Sequence, residues 1–594
     1  MNVGSSLSLR TRSTHSTFRA LALLAAAGLC AAASAQVSVG GIRFVDRAAS
    51  GEITFSNIRG SLGVIDFDRD GFYDLFIADS SGLPNRLFRN VASATVPGGR
   101  TFLDVSATSG VNDLDGTNRN FGGVVVFDYN NDGWDDIYQT GVGPGATSGV
   151  LYRNNSNGTF TNVSIASNVR QGDSNPLCAS ATDFDHDGFT DLLVVSSGLG
   201  DGKALLLLKN NGNGTFTKRN DLVPFTDFSG ITYAHAWVDY DHDGWEDALI
   251  PFSNTVPFAM KNVSDGNGGR RFVETTQESG FTFVGPAPMG IAIGDYDRDG
   301  NFDLSITDAA VGTYYRGTGT GLARVTPFTT FFGWGTSWLD ADNDTNLDNH
   351  QAGSASRANI DFIQKNNGLN ASGQRTWTDA RNALNIIARP TQFSAKFDFD
   401  NDGFEDIAAV NVGQFVSLYH NRSGTLPGAG HWAKIRLRVN DNTSRVNRSA
   451  IGAVVRLTSN GVTQVRQNIA GSSYGATEDP RLHFGLGAST SIDRIEVLWP
   501  RKGSVASRTQ VFTGPFAADS IIDLSPNAIC LADLNADRAV DDADFVFFAA
   551  AYNLLLCSDP AQPADCPADL NSDGLVNDND FVVFVQAYQD LLCP

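Results

Sequence analysis

The sequence predicts a mainly β protein built around a ring of seven small sheets. Three observations carry this reading. A nine-residue acidic segment recurs seven times between residues 66 and 406. Short apolar runs flank the copies in the manner of strands bounded by turns. Residues 42–51 (IRFVDRAASG) resemble the element that ends a repeat (TFLDVSATSG, 101–110), although they precede the first one. The 61 glycines and 39 phenylalanines suit short strands and tight turns better than long helices. At 594 residues the chain is too long for a single core, so three or four domains are expected.

Residues 1–35 read as a secretory signal. Arg10, Arg12 and Arg19 form a basic leader, 20–33 is apolar, and Ala33-Ser34-Ala35 is a small-residue cleavage site that places the mature start at Gln36. The apolar run is too short and too rich in small residues for an anchor. The expected destination is outside the cell or on its surface, with no membrane span in the mature chain.

The repeats are DFDRDGFYD, DYNNDGWDD, DFDHDGFTD, DYDHDGWED, DYDRDGNFD, DADNDTNLD and DFDNDGFED, starting 62, 55, 56, 56, 45 and 58 residues apart. Their pattern, D-x-[DN]-x-D-G-x-x-D, suits calcium, a hard cation that takes six to eight oxygens. Alternating acids at positions 1, 3 and 5 face one side of a tight loop. Glycine at position 6 allows positive φ, a carbonyl at position 7 can join, and Asp at position 9 closes the set. The candidate ligands are Asp66, Asp68, Asp70 and Asp74; Asp128, Asn130, Asp132 and Asp136; Asp183, Asp185, Asp187 and Asp191; Asp239, Asp241, Asp243 and Asp247; Asp295, Asp297, Asp299 and Asp303; Asp340, Asp342, Asp344 and Asp348; Asp398, Asp400, Asp402 and Asp406. Thr345 replaces glycine in loop 6, and a β-branched residue resists the turn, so this site is expected to be the weakest or most distorted.

A spacing of about 56 residues suits a four-stranded blade, and seven blades set radially protect their edges in a β-propeller. The N-terminal element is expected to complete the last blade and close the ring. These repeats resemble the FG-GAP/VCBS repeats of integrin α-subunit propellers and of many bacterial exported proteins. The resemblance implies a propeller over 36–425, mainly structural calcium between adjacent strands, and a ligand bound on one face through loops the motif does not identify.

Beyond residue 430 the acidic loops stop. HWAKIRLRVN (431–440), NRSAIGAVVRL (447–457), GSSYGATEDPRLHFGLG (471–487) and IDRIEVLWPRKG (492–503) resemble the ASPIC/UnbV domain of the cartilage acidic protein family. This implies a small β-sandwich-like domain over 430–525. His483 reads as a strand-end residue, since no acid or nucleophile pattern accompanies it.

The last segment, 528–594, holds a 36-residue duplication: CLADLNADRAVDDADFVFFAAAY and CPADLNSDGLVNDNDFVVFVQAY. Each copy sets oxygens at positions 1, 3, 5, 9 and 12 of a loop that opens a helix, as in half an EF-hand. They are Asp533, Asn535, Asp537, Asp541 and Asp544, then Asp569, Asn571, Asp573, Asn577 and Asp580. The pair resembles a type I dockerin, which implies a tether to a cohesin-like scaffold; Arg538 departs from the usual loop glycine. Cys530, Cys557, Cys566 and Cys593 recur at equal spacing and are expected to pair as Cys530–Cys557 and Cys566–Cys593, one of three connectivities. Cys178 reads as a small buried residue.

The net charge of −22 argues against nucleic acid and anionic membranes. Loss of residues 1–35 makes it −25, and up to about nine calcium ions would bring it to −7, so much of the acidity is ligand. The function expected is binding or adhesion to an extracellular protein or glycan. A polysaccharide- or ester-processing propeller enzyme and a structural envelope component are the alternatives. No G-x-S-x-G elbow, H-E-x-x-H or nucleophilic cysteine context is present. His186 and His242, inside the acidic loops, are expected to face solvent.

Overall fold

The computed structural model describes residues 38–47, 60–78, 84–94, 99–112, 122–141, 149–170, 176–196, 205–224, 231–253, 256–266, 268–282, 285–309, 312–325, 333–353, 361–384, 391–411, 416–440, 445–501, 508–527, 534, 540–556, 559, 566, 568–570 and 575–590. The leader and its cleavage site lie outside them. So do Asp533, Asn535, Asp537, Asn571, Asp573, Cys530, Cys557 and Cys593. Among the described residues no helix is long and apolar enough to cross a membrane.

The repeats fold as seven four-stranded antiparallel sheets. In the first six the chain runs through neighbouring strands in order, as in Leu62–Ile65, Asp74–Ile77, Arg86–Ala92 and Arg100–Asp104. The seventh takes Thr391–Phe397, Asp406–Asn411 and Val416–Asn421 from the end of the repeats and Phe44–Asp46 from their start. Phe44 pairs with Asn421, Val45 with His420 and Asp46 with Tyr419, so the exchange expected of residues 42–51 is present. The second strands are buried on both faces, which explains apolar runs such as Leu192-Leu193-Val194-Val195. The fourth strands are half exposed and correspondingly polar, as in Arg100–Asp104.

The first strands of successive sheets lie side by side. Leu62–Ile65 packs against Val124–Phe127 on one side and against Thr391–Phe397 of the last sheet on the other.

The second domain has a four-stranded sheet (Val462–Gln467, Val454–Ser459, Ser491–Leu498, Thr509–Ala517) and a three-stranded one (Leu482–Gly487, His431–Leu437, Ser520–Leu524). The two share a core that includes Phe484, Ile495 and the fully buried Trp499.

Between these sheets, residues 468–479 enter the middle of the propeller-like array. Ala181 N–H donates to Ala470 O (2.9 Å), Val124 N–H to Gly475 O (3.0 Å) and Val64 N–H to Thr477 O (3.0 Å). Ile291 and Ser473 exchange a reciprocal pair of bonds at 3.0 and 3.1 Å. Thr336 N–H donates to Ser473 Oγ (3.0 Å). The Tyr474 ring meets Phe393 at 5.1 Å, Trp334 at 5.2 Å and Tyr233 at 5.7 Å. The segment therefore touches the first strand of every sheet, or the residues leading into it. The fit needs glycine on both sides: a Cβ on Gly475 would stand 2.9 Å from the Gly123 Cα.

In the last segment two helices, Asp542–Tyr552 and Asp578–Asp590, pack through Phe548 and Phe584, whose rings stack at 5.0 Å.

Candidate functional site

Each acidic loop joins the first and second strands of its sheet, and all seven have one geometry. In loop 3, Asp183 accepts from Asp187 N–H (3.0 Å) and Gly188 N–H (2.9 Å). Asp187 accepts from Phe189 N–H (3.0 Å). Asp191 accepts from Phe184 N–H (3.3 Å) and, from the third strand, Asn210 N–H (2.7 Å). These bonds curl the loop so that positions 1, 3, 5 and 9 converge. Position 6 has φ between 81° and 91° throughout, as its glycines require. Position 4 is also left-handed, at 52° to 61°, in Arg69, Asn131, His186, His242, Arg298, Asn343 and Asn401. The motif did not signal that second requirement.

Loop 6 is not distorted. Thr345 sits at φ 81° and Asp340 still accepts from Asp344 N–H (2.9 Å) and Thr345 N–H (2.7 Å). The misfit is carried as local backbone strain at one residue, and Thr345 Oγ1 accepts from Arg298 of the preceding loop.

In six of the seven loops position 4 ties the loop to the next. Asn131 Nδ2 donates to Gly188 O (2.8 Å), Asn343 Nδ2 to Gly403 O (3.2 Å) and Asn401 Nδ2 to Gly71 O (3.1 Å), so the last loop is bonded to the first. Arg69 stacks over Trp134 at 4.4 Å. His186 corrects the expectation of a solvent-facing residue. It is 1% exposed, stacks on Trp245 at 4.2 Å and places Nε2 3.0 Å from Glu246. Burial among neighbours of the next loop holds its pKa below the ordinary histidine value. His242, on the same left-handed position, is exposed, as expected of a solvent-facing residue, and partial desolvation by its neighbours lowers its pKa.

A second tie comes from the residue closing each third strand. Asn154 Nδ2 donates to Phe67 O (2.9 Å) of the preceding loop, Asn210 to Tyr129 O (2.7 Å), Asn262 to Phe184 O (2.8 Å), Asn366 to Tyr296 O (3.0 Å) and Asn421 to Ala341 O (2.8 Å). Asn90 donates to Phe399 O (2.7 Å), which links the first sheet to the seventh. Only the fifth sheet lacks the asparagine: Gly317 stands there, and a Cβ on it would lie 2.5 Å from Phe302 O. The shared Arg/Lys-Asn pair in LFRN, LYRN and LLKN carried the signal.

The loops have oxygens to spare for a cation. The Oδ1 atoms of Asp66, Asp68, Asp185, Asp241, Asp342 and Asp400 are buried without a hydrogen-bond partner. Burial, the largest cause, raises the pKa of position 1 to about 6 in Asp66 and Asp295 and to about 7 in Asp128 and Asp239. Position 9 is pushed further, to about 9 in Asp74, and upward in Asp136, Asp191, Asp247, Asp303, Asp348 and Asp406. An all-oxygen set whose carboxylates are held together at a desolvation cost fits a hard divalent ion.

The second domain sits on this belt of loops. Ser449 Oγ accepts from Asp128 N–H (2.8 Å), and Arg448 N–H donates to Asn131 Oδ1 (3.2 Å). Arg508 Nη2 donates to Gly244 O (2.7 Å). His483 Nε2 meets Asn343 Oδ1 at 2.8 Å, and Lys434 Nζ lies 2.8 Å from Asp398 Oδ2 with both side chains buried. His483 is thus a buried strand residue in a docking contact, and its pKa is depressed well below the histidine range by burial and by Lys434. A buried Ser180–His235 contact joins the third sheet to the residue leading into the fourth, beside a cavity of ≈ 10 Å³.

Cys178 is a buried free thiol whose pKa burial pushes up to about 12. In the last segment, Asp544 and Asp580 at position 12 are fully buried. Asp544 accepts from Leu534 N–H (2.6 Å) and Asp541 N–H (3.0 Å), and Asp580 from Asn577 N–H (2.9 Å). The two copies grip each other reciprocally: Tyr552 Oη donates to Asp578 and Tyr588 Oη to Asp542, both at 2.5 Å.

Residues 183–250 match the FG-GAP-like repeat family, and residues 443–527 match the ASPIC and UnbV family. No curated protein matches the chain. Among solved structures, an Agrocybe aegerita lectin that recognises non-reducing terminal N-acetylglucosamine is 17% identical, with 57% of this chain and 83% of that one covered and a TM-score of 0.37. BBS1N in complex with ARL6DN is 10% identical, covering 64% and 96% with a TM-score of 0.39. YCF48 from Cyanidioschyzon merolae is 11% identical, covering 64% and 98% with a TM-score of 0.37.

Proposed function

We propose that this chain is an exported, calcium-loaded seven-bladed β-propeller that binds an extracellular protein or glycan and is tethered by its dockerin-like terminal pair. The observation that carries the calcium reading is the recurrence of buried, partnerless carboxylate oxygens at equivalent loop positions. Positions 1, 3, 5 and 9 of each loop would hold the ion, which supplies positive charge against carboxylates held close together. The residues themselves shape the loop through the bonds to positions 5, 6 and 7.

Because the second domain lies on the loop face and residues 468–479 fill the middle, the opposite face is the one left for a ligand. The tethering reading is supported by duplicated apolar exposure. Phe545 is 44% and Val546 66% exposed in one helix, and Phe581 39% and Val582 68% at the matching places of the other. The pairings Cys530–Cys557 and Cys566–Cys593 belong to this proposal.

Elemental analysis of the purified full chain in millimolar calcium tests the metal reading, and several bound ions per chain are expected. Protein and glycan arrays with and without chelator test binding. Full retention of array signal by a variant with charged substitutions across the face opposite the loops would refute that assignment.

A further inference from the structure

In six of the seven acidic loops a basic side chain already stands against ligand positions 3 and 5. It comes from the third strand, one residue before the closing asparagine or glycine. Arg89 lies 2.5 Å from Asp68 and 3.6 Å from Asp70. Lys209 lies 2.5 Å from Asp185 and 2.7 Å from Asp187. Lys261 pairs with Asp241 and, at 3.1 Å, with Asp243. Arg316 lies 2.6 Å from both Asp297 and Asp299. Lys365 pairs with Asp342 and, at 2.9 Å, with Asp344, and His420 lies 3.2 Å from Asp400 and 3.9 Å from Asp402. Loop 2 differs. Asn130 stands at position 3, where its neutral Nδ2 donates to Asp132 Oδ2 at 2.9 Å, and Arg153 turns away to Asn155 Oδ1 at 3.5 Å.

We propose that these side chains are tethered place-holders, cations of the chain's own that a divalent ion must push aside, and that loop 2, where only a neutral amide bridges positions 3 and 5, is the loop open to the ion without displacement of a charge. This rests on the calcium reading of the loops. A calcium ion sits about 2.3–2.6 Å from its ligand oxygens. A nitrogen bonded to the same carboxylates would then stand roughly 4–5 Å from a doubly charged ion, where like charges repel strongly at the dielectric of a half-buried site. In five of the six occupied loops the base takes position-3 Oδ2 and leaves Oδ1 buried and unpartnered, so ligand capacity stays in reserve. Without metal, the base relieves repulsion between positions 3 and 5 and keeps the belt of loops in shape. The structure thus holds its ring with or without ions, and metal affinity is set by the side chain displaced.

The test compares the full chain with Lys209→Gln, Lys261→Gln and Arg153→Ala by calcorimetric calcium titration and by thermal melts in excess chelator. Each lysine variant is expected to move one ion into the tight class with an affinity gain of about tenfold, and to melt below the parent in chelator. Arg153→Ala is expected to do neither. Lys209→Arg, which keeps the charge, is expected to match the parent and separates loss of charge from loss of packing. Unchanged or weaker calcium binding in both glutamine variants would overturn the inference while leaving the calcium reading intact. No calcium uptake by the parent or by any variant would bring down the calcium reading itself.

Discussion

Asn210→Ala should cost this protein about 3 kcal/mol, although the residue touches no ligand position through its side chain. The Asn210 side chain is fully buried and makes three bonds. Nδ2 donates to Tyr129 O of the preceding loop (2.7 Å) and Thr190 O of its own (3.1 Å), while Oδ1 accepts from Gly212 N–H (3.0 Å). Alanine leaves two buried carbonyls and one amide without partners, at about 1–3 kcal/mol each before water or relaxation recovers part of the loss. The backbone bond from Asn210 N–H to Asp191 survives, which keeps the estimate near the lower end. Asn210→Asp should be at least as damaging at neutral pH, because it sets a carboxylate against the same two carbonyls. Urea denaturation followed by tryptophan fluorescence, in constant calcium, measures both. A shift below about 0.5 kcal/mol for Asn210→Ala, the size of an ordinary surface change, would refute the view that these asparagines fasten neighbouring sheets.

Three further outcomes can be checked. Asp66, Asp128, Asp239, Asp295 and Asp74 have folded pKa values of about 6 to 9 against 3.8, so metal-free protein binds more protons folded than unfolded. Their contribution is full below about pH 4 and is lost as pH rises through 6 to 9. In chelator the melting temperature should therefore fall from pH 5 to pH 8, whereas calcium should flatten or reverse the trend; parallel curves would count against these acids as the source. Tyr474→Ala should cost about 3 kcal/mol, since a buried ring touching three others is removed, and should sensitise the connection near residue 426 to limited proteolysis. Thr345→Gly should stabilise by about 1 kcal/mol, because relief of a left-handed β-branched residue outweighs one lost bond from Arg298; a destabilised variant would show that the bond dominates.

The acidic loops and the strand exchange were legible because both are local patterns. Alternating Asp and a fixed glycine state their geometry within nine residues, and 42–51 repeats an element seen elsewhere in the chain. What joins the repeats was not legible. Asn401 reaches Gly71 across 330 residues, and Asn90 reaches Phe399 across 309. His186 looked like a variable loop residue because its partners, Glu246 and Trp245, belong to the next repeat. Ser473, Tyr474 and Gly475 read as part of a motif of the second domain, with no local hint that they belong to the core of the first. Their signal lay instead in the small residues at the matching place in the first strands: Gly123, Cys178, Ala234, Gly290 and Gly335.

These long-range ties bear on how the acidic loops can be used. A loop whose position 4 bonds the next loop, and whose carboxylates meet a basic side chain from its own sheet, is embedded in the frame. Asp398 shows this most fully: it accepts from Asp402 N–H at Oδ1 and from Gly403 N–H at Oδ2, and Lys434 of the second domain reaches the same Oδ2. An ion arriving there would act on the seating of the second domain as well as on one sheet. If the loops take calcium as proposed, the seventh is the place where metal content and domain docking would be coupled most directly, and Lys434→Met should weaken docking more in chelator than in calcium, read as faster proteolysis between the domains. Equal rates in the two conditions would show that the seating of the second domain does not depend on metal.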